Sequence, residues 1–384
     1  MKIKRIFLVL IPVFLAVGLL SACAPAATPT KEAAAISSTL AVQNTSIPAP
    51  ASTTAPIVVT DALGRTVTFD QLPQRIVIAG KATPLILDSF YMFPEASSRL
   101  VAYEMRMQNG DAFLKIADPN LSNKNKLETN ASAEQIAPSK PDLVILKTYM
   151  ADTLGKSLGA LGIKVIYVNM ETPDSFYVDI RNIGKILGDS ARAEEIVSYY
   201  QGKVNAISDK ISSASNAPKP SVLVLEYTSQ NNAVAFDVPP VSYLQTLMVS
   251  SSNGAPVWKD AADPGGWNVV TLEQIASWNP DMIFMVDYSG KAVQDVAQLK
   301  TDPQWQQLKA VKDSQLFAFP TDFLSWDQPD SRWILGLTWI ASKIQPNLFP
   351  DIKITDEITS FYQKMYNLDS DTIINQILPL YKGS

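Results

Sequence analysis

Two stretches of the chain are near copies of each other. Residues 132–147 read SAEQIAPSKPDLVILK and residues 271–286 read TLEQIASWNPDMIFMV. In each, Glu-Gln-Ile-Ala is followed by three variable residues, then Pro-Asp, then an apolar run. The two glutamates, Glu134 and Glu273, stand 139 residues apart. That spacing is too long for a short-period solenoid and points to a fold built from two related halves.

The surroundings of each copy agree. Residues 57–79 read as a small hairpin with Leu63-Gly64 at its turn, followed by a buried strand over 75–79. Apolar runs recur at 99–103, 142–146 and 163–168, with a helical stretch at 151–162. After Lys219-Pro220 the pattern restarts, with runs at 221–226, 281–286 and 315–319. Strands alternating with helices predict an α/β fold whose sheets are mostly parallel and covered on both faces.

Between the halves, residues 189–213 carry Ile196, Tyr200, Val204, Ile207 and Ile211 at steps of three and four, one face of a long helix. Asp189 or Ser190 suits its cap, with Glu194 and Glu195 in the opening turns. About 25 helical residues span roughly 37 Å. Such a rod between lobes is stiffer than extended strands and predicts a small hinge motion. The expected organisation is a first lobe over 57–188, a bridging helix over 189–215 and a second lobe over 216–384.

The chain opens differently. Lys2, Lys4 and Arg5 precede a 15-residue apolar stretch, short for a membrane span. Leu-Ser-Ala-Cys then ends at Cys23, the one cysteine of the chain, and resembles the lipobox of bacterial lipoproteins. The resemblance implies a signal peptide over 1–22, cleavage before Cys23 and acylation of its thiol. Removing residues 1–22 takes away three basic residues and no acids, which leaves 29 against 37, a net charge of −8. Residues 23–56 are mostly Ala, Pro, Thr and Ser with one Lys31-Glu32 pair, a disordered tether too poor in apolar area to fold. A flexible tether of that length reaches roughly 30 Å.

Composition narrows the chemistry. The 384 residues contain 32 Lys and Arg, 37 Asp and Glu and no His. Without a basic excess, a phosphate backbone is an unsuited partner, so no nucleic acid is expected. Absent histidine removes the commonest general base and metal ligand. A single cysteine allows no intrachain disulfide or zinc cluster. The sequence has no G-x-S-x-G, Walker-A or zinc motif and no carboxylate pair that spacing singles out, so no catalytic residue is assigned and no enzyme is expected.

Taken together, the tandem EQIAPSKPDLVI and EQIASWNPDMIF, the helix entry LGDSARAEEIVSYY, the stretch WQQLKAVKDSQLFAFP at 305–320 and the lipobox resemble the helical-backbone substrate-binding proteins of bacterial ABC importers. The likeness covers about residues 57–366. It implies two Rossmann-like lobes bridged by one long helix, with the ligand in the cleft between them. It further implies an extracytoplasmic monomer, lipid-anchored at Cys23 to the outer face of the cytoplasmic membrane or periplasmic, serving an importer permease. In the family one acidic residue on each lobe docks into arginine pockets of the permease, and the matching residues are Glu134 and Glu273. Charge-assisted pairs of this kind speed docking more than they tighten it.

Ligands of open parallel sheets bind outside the carboxyl ends of the strands. That rule nominates Lys81, Tyr103, Arg106, Lys147 and Tyr149 in the first lobe, and Tyr227, Trp267, Tyr288, Asp322 and Trp326 in the second. The stretch GGWNVVTLEQ resembles one in the cobalamin-binding member of the family, whose tryptophan lines the cleft, and Gly265 and Gly266 give Trp267 a loop on which to swing. Aromatic and basic groups suit a flat or oxygen-rich chelate. Arg106 and Lys147 suit an anionic ferric siderophore. The expected ligand is a metal chelate with no intrinsic cofactor: a ferric complex first, then a corrinoid, then haem. The rivals are a lipoprotein that only senses its ligand and an extracytoplasmic hydrolase. Trp333, Leu337 and Trp339 read as core on an apolar helix after WDQPDSR, whose Pro329 fits a helix first turn.

Overall fold

The computed structural model describes residues 55–383 apart from 106–110, 215, 231–232 and 264. The leader, Cys23, nearly all of the tether and Arg106 lie outside the described residues. Among those described, no helix is long and apolar enough to cross a membrane.

The body opens with the antiparallel hairpin of β1 (Ile57–Thr60) and β2 (Thr66–Phe69). Asp61 organises its turn, accepting from the backbone N–H of Leu63 and of Arg65, both at 3.0 Å, while Gly64 takes a left-handed φ of 73°. The first sheet runs β5-β4-β3-β6-β7, every pair parallel: β3 (Ile76–Ile78), β4 (Leu100–Glu104), β5 (Asn125–Leu127), β6 (Leu143–Lys147) and β7 (Val165–Val168). The central strand β3 and its neighbours on one side, β6 and β7, are buried along their whole length, as a sheet covered on both faces requires.

The second sheet contains β8 (Ser221–Gln230), β9 (Ala233–Val238), β10 (Ala255–Pro256), β11 (Asn268–Val270), β12 (Met282–Val286) and β13 (Leu316–Ala318), ordered β11-β9-β8-β12-β13 with β10 beside β8. The strands β8, β12 and β13 are parallel, but β9 runs antiparallel to both β8 and β11. This lobe is therefore mixed. Only two residues separate β8 from β9, and a parallel crossover needs a dozen or more, so the chain must reverse on itself. The α/β expectation holds, and the reversal adds a hairpin to it.

A helix over Ser190–Ser213 joins the halves. Asp189 caps it by accepting from the N–H of Arg192 at 2.9 Å. The preceding helix, Pro173–Leu187, ends at Gly188, whose φ is 84° and where a Cβ would lie 2.7 Å from a Leu72 methyl. Glycine is required there on both counts. The bridging helix buries Ala193, Ile196, Val197, Tyr200 and Ile207, with Val204 and Ile211 partly covered. Arg192 ties its first turn to both sides, donating to the carbonyls of Met92 (3.0 Å), Lys364 (2.7 Å) and Met365 (2.9 Å). Thr53–Ser384 forms one compact unit.

The helix bearing Trp333, Leu337 and Trp339 runs over Trp333–Ile344, and all three are buried. It opens directly after WDQPDSR, as expected, with Arg332 at its cap, but Pro329 lies ahead of the first turn and not within it. The reason is local: the Asp330 carboxylate accepts from the Arg332 N–H at 2.8 Å, and both side chains are drawn into a buried network.

Candidate functional site

The repeated stretches form the same device twice. Ser132 and Thr271 cap short helices, accepting from the N–H of Gln135 (3.4 Å) and Gln274 (3.2 Å). Ile136 and Ile275 enter the core. Lys140 and Asn279 end the turns at left-handed φ values of 47° and 43°. The aspartate of each Pro-Asp then pins the neighbouring central strand. Asp142 accepts from the N–H of Gln74 (2.8 Å) and Arg75 (3.0 Å) ahead of β3, and Asp281 accepts from the N–H and hydroxyl of Ser221 (2.8 and 2.7 Å) at the start of β8. Cap, core and strand pin give tasks to the Ser or Thr, the Ile and the Asp of each copy, and the glutamates take part in none of the three.

Glu134 and Glu273 are exposed. The Ser132 hydroxyl, 2.7 Å away, lowers the pKa of Glu134, and the backbone N–H of Glu273 together with Thr271 lowers that of Glu273, so both stay ionised. The strand β5 is parallel to β4, and β11 is parallel to β8 because each is antiparallel to β9. Both glutamates therefore follow strand carboxyl ends, each at the carboxyl edge of its sheet.

The nominated strand-end residues divide. In the first lobe, Lys81 is exposed and Tyr149 is 53% exposed, and their loops touch where Met150 packs on Gly80. In the second lobe, Trp267 and Tyr288 meet edge to face, centroids 6.1 Å apart at 85°. The half-buried Tyr227 lies edge-on to Phe236 at 5.7 Å.

The others turn inward. Tyr103 is buried with its hydroxyl 3.3 Å from Asp111; burial first, then that carboxylate, pushes its pKa up to about 12. Lys147 is buried and donates to the carbonyl of Asn169 and to Glu171 (2.6 Å), so its charge is neutralised within the lobe, not offered to an anionic ligand. Asp322 accepts from Arg332 (2.9 Å) and Tyr362 (2.5 Å). Trp326 is 0% exposed and stacks on Tyr381 at 5.4 Å, which makes it core in this structure. The cause is the chain's last segment, which returns to the end of β13. Thr321 and Lys382 exchange two backbone hydrogen bonds of 2.8 Å, and with Asp287, Ser289, Asp322 and Phe323 they line a cavity of about 170 Å³. Larger concavities of about 450 and 420 Å³ lie away from the strand ends, beside Arg192 and beside Pro73.

The strand-end faces are turned toward each other. Burial, and then the charge of Glu171 in the first lobe, raises the pKa of Tyr243 in the second. Phe113 of the first lobe packs on Phe323 at 5.3 Å, with the Arg332 guanidinium 4.6 Å above it. A buried ionic knot crosses the junction. Arg332 donates to Asp88 of the first lobe (2.5 Å), Asp330 (2.9 Å) and Tyr362 (2.8 Å), and the Tyr366 hydroxyl donates to the Asp88 carbonyl (2.9 Å) while bonding the Ser331 hydroxyl (2.5 Å). Burial pushes Asp88 up to about 6 and Asp330 up to about 7, against the pull of Arg332.

Sequence reasoning passed over several residues at this face. The strand-end rule applied to β7 would have found Glu171. Glu226, Asp237, Tyr243, Gln245 and Asp327 carry no local signal, because loops and the unforeseen hairpin bring them together.

Residues 111–323 match the family model described as periplasmic binding protein. The chain belongs to that family. This periplasmic binding protein is a substrate-binding protein of the ABC-importer type in which one helix joins the lobes. It is 23% identical over 334 residues to the molybdate-binding protein MolA of Haemophilus influenzae, covering 80% of this chain and 90% of that one. It is 27% identical over 235 residues to the ABC transporter substrate-binding lipoprotein YvrC of Bacillus subtilis, covering 58% and 68%. A solved periplasmic solute binding protein from Veillonella parvula superposes with a TM-score of 0.66 at 27% identity, over 85% of this chain and 97% of that one.

Proposed function

We propose that this periplasmic binding protein captures a metal chelate outside the cytoplasm, a ferric complex foremost, and delivers it to an ABC importer permease while a lipid on Cys23 holds it to the membrane. The observation that carries the reading is the Trp267–Tyr288 edge-to-face pair at the strand ends of the second lobe. Two aromatic rings set at right angles offer a flat complex a face and an edge. Relatives in Bacillus subtilis named for iron uptake and for Fe(3+)-citrate support iron, and the absence of histidine from the sequence supports a preformed complex over a bare divalent ion. Native mass spectrometry with ferric hydroxamates, ferric citrate, a corrinoid and haem tests it. Retention of a ferric complex is the expected result; binding of bare divalent metal with no chelate retained would overturn the reading.

In this reading Glu134 and Glu273 dock the two lobes to the permease. Their support is that the repeat preserves them while leaving them no packing task. Glu134→Ala or Glu273→Ala is expected to leave ligand affinity near wild type. Each removes one charge-assisted contact of about 1.5–3 kcal/mol. Transport at limiting binding protein should fall about tenfold or more. Normal transport by both single variants would remove the docking role.

A further inference from the structure

The strand ends of the second lobe gather four carboxylates whose hydrogen-bond donors among the described residues are all neutral: Asp327 accepts from Gln245, Ser325 and Tyr288, Asp287 from Ser289 and the Lys291 N–H, and Asp237 from Thr228. Glu226 of β8 lies directly opposite Asp237 of β9 in antiparallel register, an arrangement that is unfavourable for like charges. Asp287 follows β12, and Asp327 accepts from Tyr288 at 2.7 Å. Among the described residues, none of these four acids forms an ion pair with lysine or arginine. Burial, followed by Asp237, Asp327 and Asp287, pushes Glu226 up to about 7.

A second observation comes from a neutral side chain. Gln245, 3% exposed, stands in the first turn of the helix Leu244–Ser251, next to Tyr243, which faces the first lobe. Its Nε2 donates to Asp327 Oδ2 at 2.9 Å, but its Oε1 is buried with no hydrogen-bond partner. Turning the amide over would set Oε1 against the Asp327 carboxylate, so the orientation is fixed and the acceptor stays unmet. A buried unmet acceptor costs about 1–3 kcal/mol. Several carboxylates and an orphan carbonyl therefore share one wall, and what they lack is a donor bearing positive charge.

We propose that the solute presents a cationic, hydrogen-bond-donating group of ammonium type to the second lobe, received by Glu226, Asp237 and the Gln245 carbonyl, with the rings of Trp267 and Tyr288 beside it. Cations gain from both carboxylates and aromatic faces. The proposal rests on the chelate reading above and restricts it: the complex carries a pendant ammonium, and a purely anionic complex is repelled. The neutralised Lys147 agrees, since its charge is already taken by Glu171.

The test separates the two readings. Tryptophan fluorescence and melting temperature are followed while 1,4-diaminobutane or succinate is added to the full-length mature protein. The diammonium should bind and raise the melting temperature, succinate should not, and Glu226→Gln should weaken diammonium binding about tenfold or more. Glu226→Gln relieves a like-charge contact, so it is expected to fold. Failure of the diammonium to bind, or equal binding of succinate, overturns the proposal. In parallel, a ferric trihydroxamate with a free ammonium is compared with its N-acetylated form. Tighter binding of the ammonium form supports the proposal. Equal binding of both overturns it while sparing the chelate reading. Binding of the diammonium with neither chelate retained would remove the ferric hydroxamate and keep the acidic wall as a site for a cationic group.

Discussion

Arg332→Met should destabilise the folded body by about 3–5 kcal/mol at pH 8, because it leaves buried carboxylates without their cation. Asp88, Asp322 and Asp330 all lie within 2.9 Å of the guanidinium, and all four side chains are buried. Methionine fills much of the volume and keeps contact with Phe113, so the loss reports charge and not a cavity. Asp88→Asn makes the contrast. It removes one of three acids facing a single arginine, and should cost less than about 1 kcal/mol while cutting the ionic tie between the lobes. Urea unfolding of the two variants measures both. Equal costs for the two would show that the knot works through packing and not through charge balance.

The second large effect is on pH. Asp88 (about 6) and Asp330 (about 7) both titrate above the ordinary aspartate value of 3.8, chiefly through burial. A carboxyl raised in the folded state keeps its proton there after the unfolded chain has lost it. The cost of ionising it is absent well below the unfolded value and complete above the folded one. Stability should therefore fall as pH rises through the window from about 4 to about 7. Between pH 5 and pH 8 the loss from this pair should be about 4 kcal/mol, one pKa unit from Asp88 and two from Asp330 at about 1.4 kcal/mol each. Carboxyls with lowered values, such as Asp111 at about 2, act with the opposite sign and only in more acid solution. Melting temperature should thus be higher at pH 5 than at pH 8, and the difference should shrink in Asp88→Asn. A melting temperature that climbs from pH 5 to pH 8 would contradict the assignment. The same acid window relaxes Arg332→Met, whose penalty should be smaller at pH 5.

These expectations bear on how the lobes move. The bridging helix, the Arg192 contacts and the Asp88–Arg332 pair all resist hinge opening, so ligand exchange should involve small motions, with side chains such as Trp267 moving more than lobes. Gly266, at a φ of 153°, gives that tryptophan a backbone other residues rarely adopt.

The residues alone determined whatever depends on short-range pattern. Apolar runs of five or six residues gave the buried parallel strands, steps of three and four gave the bridging helix, and the capping and strand-pinning residues of the repeat made both halves recognisable. Each of these is settled within a few turns of chain or by period. Tertiary structure decided what depends on which distant segments meet. The direction of β9 followed from a two-residue connection that forbids a crossover. The returning segment at Tyr381–Lys382 covered Trp326. Glu171 took the charge of Lys147, and Asp88 found Arg332 across 244 positions. No local signal encodes such partners, because burial and neighbouring charge are properties of the packed body. The character of the proposed ligand wall, aromatic and acidic, therefore comes from the fold and not from any one stretch of sequence.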